Sequence, residues 1–286
     1  MSPTIAEALR AAAERLSATS DTARLDAEVL MAHALGVTRS DLLLRHLRGP
    51  VPPGFAALVE RRAGHEPVAY ITGTQDFFGL TLHVSPAVLI PRGDSEVLVE
   101  AALAARADAR RVLDCGTGSG ALLLAVLHAL PQASGVGIDA SAAALDVARA
   151  NAAALGLAQR ADVVLADWHQ PRWADALGGP FDLVLANPPY VEADARLAPS
   201  VRDHEPASAL FAGPDGLDDY RALIPQLPAL LAPGGAALVE IGAAQGAAVA
   251  AIADAAGLAV RLHRDLAGRD RVLELKIPLG KAGGSA

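Results

Sequence analysis

A strand-length, mostly apolar run, Phe181-Asp182-Leu183-Val184-Leu185-Ala186, runs into two consecutive prolines in Asn187-Pro188-Pro189-Tyr190. Proline offers no backbone N–H to a sheet ladder and fixes its own φ, so a strand here has to end with Asn187 at its carboxyl edge. In open α/β sheets that edge is where ligands bind. The tetrapeptide also carries a chemical logic. The Asn187 side-chain oxygen and the Pro188 carbonyl, held on a stiff backbone, are two acceptors able to converge on one NH₂ group, with the Tyr190 ring as a wall. Taken alone, the same residues also describe a plain turn after a strand, so the rest of the chain has to decide.

At 286 residues and 52% hydrophobic content, the chain has enough material for one large domain and a small one. Its single cysteine, Cys115, excludes an internal disulfide and a cysteine-rich metal site, and reads as a small buried strand residue in a reducing compartment. The eight histidines are scattered without ligand spacing, so no metal is expected; His33, His46 and His65 read as surface or half-buried residues. No basic segment followed by an apolar stretch opens the chain, and the apolar runs are interrupted before the ~18 residues a membrane span needs. A cytoplasmic monomer without a membrane partner is the expectation. Net charge is −8, yet residues 1 to 73 hold eight basic and eight acidic residues, so the negative excess lies wholly after residue 73. Duplex DNA demands a basic stripe, and the sequence shows none, so no direct nucleic-acid partner is expected.

Thr4 to Glu7 has capping-box form and opens a helix to about Leu16. Asp21 is a candidate cap for a second helix, Thr22 to Leu35, closed by Gly36; Ser40 is one for a short third; Pro52-Pro53 opens a fourth to about Ala63. Short turns between them predict a small α-helical domain over residues 1–73. Aromatic and β-branched residues around Gly79 predict a hairpin within a linker spanning 74–92, followed by a helix from Ser95 to Ala105 with Asp94 or Ser95 as cap. Residues 93–280 then alternate apolar strand-like and helical runs. Strands are expected near 111–115, 135–139, 161–166, 181–186, 236–241, 258–263 and 271–277, and helices near 119–130, 141–155 and 218–232. This is the pattern of an α/β fold with a doubly wound, mainly parallel seven-stranded sheet. The connection around Gly268 is too short for a parallel crossover, so the last strand should run antiparallel. The Gly/Ser-rich end, 281–286, reads as a flexible tail.

Val112-Leu113-Asp114-Cys115-Gly116-Thr117-Gly118-Ser119-Gly120 is a strand entering a glycine-rich turn before an apolar helix, a backbone that can turn sharply and approach a ligand closely. Asp139 ends the next strand, where a carboxylate accepts hydrogen bonds from a ribose. Gly116, Gly118 and Ala121 also satisfy the dinucleotide pattern, so a nicotinamide enzyme has to be weighed. Asp114 and the third glycine, Gly120, tilt the choice toward S-adenosylmethionine, which has no pyrophosphate to place on a helix dipole. Asp167 and Trp168 end the third strand and suit an adenine, the carboxylate for its exocyclic amine and the indole for its ring face; alone, Trp168 would read as ordinary core. Three strand ends thus precede Asn187 at the fourth. The roughly thirty residues from Val191 to Asp219 are too long for an ordinary connection and read as a lid or substrate-binding wall.

With these residues in hand, the chain resembles the protein-(glutamine) methyltransferases of the peptide-chain release factor type over nearly its full length. The resemblance rests on Glu66 to Gly73, Val88-Leu89-Ile90-Pro91-Arg92, Asp114 to Gly120, Asn187 to Tyr190, His204 to Leu210, Gly213 to Leu217 with Tyr220-Arg221, and Gly268-Arg269-Asp270-Arg271. Asn-Pro-Pro-Tyr by itself is shared with DNA adenine-N6 methyltransferases. One stretch departs: Gly93-Asp94-Ser95-Glu96 stands where the family has Pro-Glu-Thr-Glu. The resemblance implies a Rossmann-like methyltransferase domain that binds S-adenosyl-L-methionine through Asp114, Gly116, Thr117, Gly118, Ser119, Gly120, Asp139, Asp167, Trp168 and Asn187. It also implies a substrate glutamine held by Asn187, Pro188, Pro189 and Tyr190, with Asn187 and Pro188 as the catalytic pair, and an amino-terminal domain that recognises a release factor. A glutamine of a large-subunit ribosomal protein, adenine in DNA, and a non-catalytic binding role are the competing readings. His204 and Glu205 are not required by the chemistry.

Overall fold

The computed structural model describes residues 3–278, so the expected tail at 281–286 lies outside the described residues. The chain divides into two compact units, one formed by residues up to Thr74 together with Leu197–Glu205, the other by Gln75–Arg196 and the residues from Pro206 onward.

In the smaller unit, helices Ile5–Leu16, Ala23–Leu35 and Phe55–Ala63 surround a core of Ile5, Leu9, Leu16, Leu30, Met31, Leu42, Phe55 and Val59. The Thr4–Glu7 capping box is formed in both directions. Two caps differ from the sequence reading. Thr22, not Asp21, precedes the second helix and makes no side-chain cap bond, because its hydroxyl goes to Asp26. Thr38, not Ser40, caps the short third helix by accepting from the Asp41 N–H. Asp26, nearly buried, also receives Arg62 Nε at 2.7 Å, an ion pair drawing two helices of this unit together.

The larger unit opens with a hairpin, β1 (Thr74–Phe77) and β2 (Leu80–His83), turned through Phe78 and Gly79, both at positive φ. Residues 74–92 do more than connect: Phe77, Leu80 and Leu82 belong to the core of this unit. The main sheet comprises β3 (Arg111–Cys115), β4 (Ser134–Asp139), β5 (Ala161–Leu165), β6 (Phe181–Ala186), β7 (Leu231–Glu240), β8 (Ala259–Arg264) and β9 (Asp270–Lys276) in the order β5-β4-β3-β6-β7-β9-β8. β9 is antiparallel to both its neighbours and the rest are parallel, as expected. Alternate residues serve opposite faces: Leu183 and Leu185 enter the core beneath helices Glu96–Ala105 and Ala121–Ala129, whereas Val184 and Ala186 enter the core on the other side.

Two helical expectations change. The run 218–232 is broken into Asp218–Leu223, a 3₁₀ turn and Leu227–Leu230, because Pro225 and Pro228 interrupt it. Helix Gly246–Ala255, unassigned from sequence, lies against β8 and β9; its alanine-rich run carries little amphipathic contrast. Among the described residues no helix is long and apolar enough to cross a membrane.

Candidate active site

Strand order reverses at β3: the chain winds outward through β4 and β5, then returns to place β6 on the other side of β3. Crossover connections leave in opposite directions at this point and open a crevice at the carboxyl ends of β3 and β6. Register sets those ends level, with Cys115 beside Ile138 and Ala186, and Asp139 beside Leu165. The segments that follow, at Gly116, Ala140, Ala166 and Asn187, therefore meet at one edge. A cavity of about 470 Å³ lies there, within the size range of small-molecule sites.

Gly116, Thr117, Gly118 and Ser119 form one wall. Gly116, Gly118 and Gly120 all have positive φ, and a Cβ on Gly116 would sit 3.1 Å from the Trp168 ring, so this turn needs glycine both for its conformation and for that approach. Asp139 fixes the turn: its Oδ2 accepts from the Gly118 N–H and its Oδ1 from the Ser141 N–H, both at 2.9 Å, while its carboxylate lines the cavity. Asp114 occupies a different place. It is fully buried beneath the turn, where Oδ2 accepts from the Thr117 hydroxyl at 2.7 Å and Oδ1 has no hydrogen-bond partner among the described residues. Burial pushes its carboxyl up to about 7. Gly120 likewise does not line the cavity.

Asp167 and Trp168 also line the cavity, the indole lying close against Gly116. The Trp168 indole donates to Asp219 Oδ1 at 3.0 Å, and His169 Nε2 meets the same oxygen at 2.9 Å. Asp219, buried and also facing the cavity, thus sets the plane of the ring. It was not recognised as a site residue from sequence, since fifty-one positions separate it from Trp168.

Of the Asn-Pro-Pro-Tyr turn, Asn187 and Pro189 line the cavity, whereas Pro188 is buried and Tyr190 lies outside the lining. The turn is clamped from its outer side. Tyr190 N donates to Leu210 O, and the Gln245 side chain donates to both Tyr190 O (3.1 Å) and Gly216 O (3.2 Å). Burial pushes the Tyr190 phenol upward. Beneath the turn, Asn187 Nδ2 points at Ser95 Oγ, 3.4 Å away. Glu240, at the end of β7, is 2% exposed; burial raises its carboxyl to about 7, against the lowering influence of the neighbouring Ser95, Asn187 and Arg271. The Gly93-Asp94-Ser95 departure is accommodated here: Ser95 keeps the hydroxyl, and Asp94 pairs with Arg271 at 2.6 Å.

Within Val191–Asp219, helix Pro199–Arg202 belongs to the smaller unit, whereas Pro206, Ser208 and Ala209 line the cavity of the larger one. His204 is directed at the Gly64 carbonyl within the smaller unit. A further structural link invisible in sequence is Asn151, which bonds the His83 backbone in both directions and donates to Ser119 O, tying the hairpin to the glycine turn.

An acidic cavity walled by an indole and a glycine turn, at the switch point of this sheet, defines a methyltransferase domain. Family models agree: the methyltransferase small domain matches residues 93–202 and the PrmC N-terminal domain residues 7–73. A release factor glutamine methyltransferase of Cereibacter sphaeroides is 47% identical over 281 residues, covering 96% of this chain and 98% of its own. Those of Bradyrhizobium diazoefficiens (45%; 84% and 83%) and Moorella thermoacetica (44%; 85% and 87%) are similar over most of both chains. The chain belongs to the release factor glutamine methyltransferase family. In fold, the larger part resembles the hMettl16 catalytic domain solved with a MAT2A 3′UTR hairpin (TM-score 0.57, 15% identity, 77% of this chain and 82% of that one).

Proposed function

We propose that this protein methylates the side-chain amide nitrogen of the glutamine in the Gly-Gly-Gln motif of class I peptide-chain release factors, with S-adenosyl-L-methionine as donor. The observation that carries the reading is Asn187: its NH₂ is directed toward Ser95, which leaves its oxygen for the same cavity that the glycine turn walls. The residues suit this cofactor. Asp139 has lone pairs left for ribose hydroxyls, Asp167 and Trp168 offer an acceptor and a ring face for adenine, and three carboxylates around one cavity favour a cationic ligand. When bound, the cofactor supplies an electrophilic methyl group.

The protein's part is positioning. An amide lone pair is delocalised, and no side-chain base near neutral pH removes the amide proton beforehand. Asn187 Oδ1 and the Pro188 carbonyl accept the two N–H bonds of the substrate amide and turn its nitrogen into the cavity; Pro189 and Tyr190 stiffen the turn that carries them. Methylation leaves the nitrogen strongly acidic, so its proton departs without a dedicated base. The helical unit, with balanced charge, is suited to docking a protein surface.

The test compares methyl incorporation into a purified release factor, the same factor with that glutamine changed to alanine, a large-subunit ribosomal protein and duplex DNA. Incorporation is expected only in the first. Labelling that survives the alanine change, or that favours another substrate, would overturn the assignment.

The cofactor side of the site is checked separately by Asp139→Ala. Hydrogen bonds to a charged acceptor contribute about 1.5–3 kcal/mol, so affinity for S-adenosylhomocysteine should fall roughly ten- to a hundredfold. The loosened Gly118 turn adds to that loss. Calorimetric titration reads it, and wild-type affinity would remove Asp139 from the site.

A further inference from the structure

We infer that Gln245 is a positioning residue for methyl transfer: by holding the Tyr190 carbonyl, it sets the direction in which the Pro188 carbonyl meets the substrate amide. The inference rests on the proposed role of Asn187 and Pro188 and extends it to a side chain that does not itself line the cavity.

The Asn-Pro-Pro-Tyr turn is poorly equipped to hold itself. Pro188 and Pro189 bring no backbone N–H, so neither can anchor the turn by donating to a neighbour. Their rings fix φ, which leaves ψ as the freedom that decides where each carbonyl points. At Pro188 that angle follows from where the chain is fixed on either side. On the near side the anchor is β6, whose last residue, Ala186, pairs with both β3 and β7. On the far side it is Tyr190, whose N–H donates to Leu210 O at 3.1 Å and whose carbonyl accepts from Gln245 Nε2 at 3.1 Å. The Leu210 bond ties the turn only to the loop that follows it. Gln245 ties it to the start of helix Gly246–Ala255, which is packed on β8 and β9.

Gln245 is built into this place. Its Oε1 accepts from the Gly242 N–H at 3.1 Å, which identifies the other end of the amide as nitrogen. Both protons of that nitrogen are then used, one on Tyr190 O and the other on Gly216 O at 3.2 Å. An amide engaged through its oxygen and both N–H bonds has a single orientation, so Gln245 is a fixed point rather than a mobile surface group. Two glycines make room for it. A Cβ at Gly216 would lie 2.8 Å from Nε2, and one at Gly242 would lie 2.6 Å from Oε1. Gly242 is not among the positive-φ glycines, so its conformation does not call for glycine; the approach of the amide does. One side chain thus joins the turns after β6 and β7 to the approach of helix Asp218–Leu223, all within the larger unit.

Gln245→Met keeps the length of the side chain and loses all three bonds. Gln245→Glu keeps the acceptor for Gly242 but turns an oxygen onto two carbonyls, which repels the turn. Single-turnover methylation of release factor is measured with cofactor and factor saturating, and counted per S-adenosylhomocysteine-binding site so that unfolded protein does not register. The rate should fall about tenfold in Gln245→Met and about a hundredfold in Gln245→Glu, the scale of a misplaced reacting group. Affinity for S-adenosylhomocysteine and KM for release factor should stay within about threefold of wild type, because the lost bonds act on the reacting geometry and not on binding. Where Gln245→Glu does not accumulate folded, the Met variant alone decides. A purely structural role predicts a lower melting temperature with a wild-type rate per site, and that result would overturn the inference. So would a loss of rate matched by an equal loss of cofactor affinity. Absence of release-factor methylation by the wild-type protein would instead overturn the substrate assignment, so the two failures are distinguishable.

Discussion

Asn187→Ala should leave S-adenosylhomocysteine affinity close to wild type and lower the single-turnover rate roughly a hundred- to a thousandfold, the loss typical when one preorganised polar group is deleted from an active site. The separation follows from geometry. Asn187 stands at the end of β6, and the glycine turn and Asp139 stand at the ends of β3 and β4, so removing one amide leaves that wall of the cavity intact. The Pro188 carbonyl would remain as a single acceptor, able to hold one N–H bond but not to fix rotation about it. Asn187→Asp is the informative companion, since it keeps an acceptor and adds a charge beside the buried Glu240. A wild-type rate for the alanine variant with saturating cofactor would sink the positioning mechanism.

Gly216→Ala should be among the most damaging single-methyl additions in the chain. Gly216 has φ +67°, and a Cβ there would lie 2.3 Å from the Tyr190 carbonyl oxygen and 2.8 Å from Gln245 Nε2. Left-handed strain costs about 1–3 kcal/mol and overpacking a similar amount. Relief is possible only by displacing the backbone of the Asn-Pro-Pro-Tyr turn or breaking the Gln245 clamp, so turnover should fall together with stability. Gly268→Ala is the control, because its φ is +78° but nothing lies within 4 Å of the added carbon. Thermal denaturation should show a clearly larger drop for Gly216→Ala than for Gly268→Ala. Equal drops would mean that the close approach is unimportant.

What the sequence made legible is what local chemistry dictates. Proline pairs and glycine turns end strands in ways that can be read without neighbours, and so the four strand ends at Gly116, Asp139, Asp167 and Asn187 were all accessible. The supporting residues were not. Asp219 meets Trp168, Asn151 meets His83, and Gln245 meets Tyr190 across separations of fifty residues or more, and each is an unremarked polar residue in its own segment. Glu240 ends an apolar strand in the way that any surface carboxylate might, and only the sheet order buries it beside Asn187. The misplaced caps have a smaller cause: Asp21 and Thr22, or Thr38 and Ser40, compete with the same chemistry within two residues. Helix Gly246–Ala255 was missed because alanine on every side leaves no stripe to detect.

The smaller unit is not written as one continuous stretch. Most of its helices come from the residues up to Thr74, but Leu197–Glu205, with helix Pro199–Arg202, belongs to it as well, inserted shortly after the Asn-Pro-Pro-Tyr turn. Exchanging the first seventy-four residues between relatives would therefore produce chimaeras in which a borrowed bundle meets a foreign segment that it did not evolve beside. Inheritance of the bundle and of the Leu197–Glu205 segment has to be joint, and no single cut along the gene separates one unit from the other.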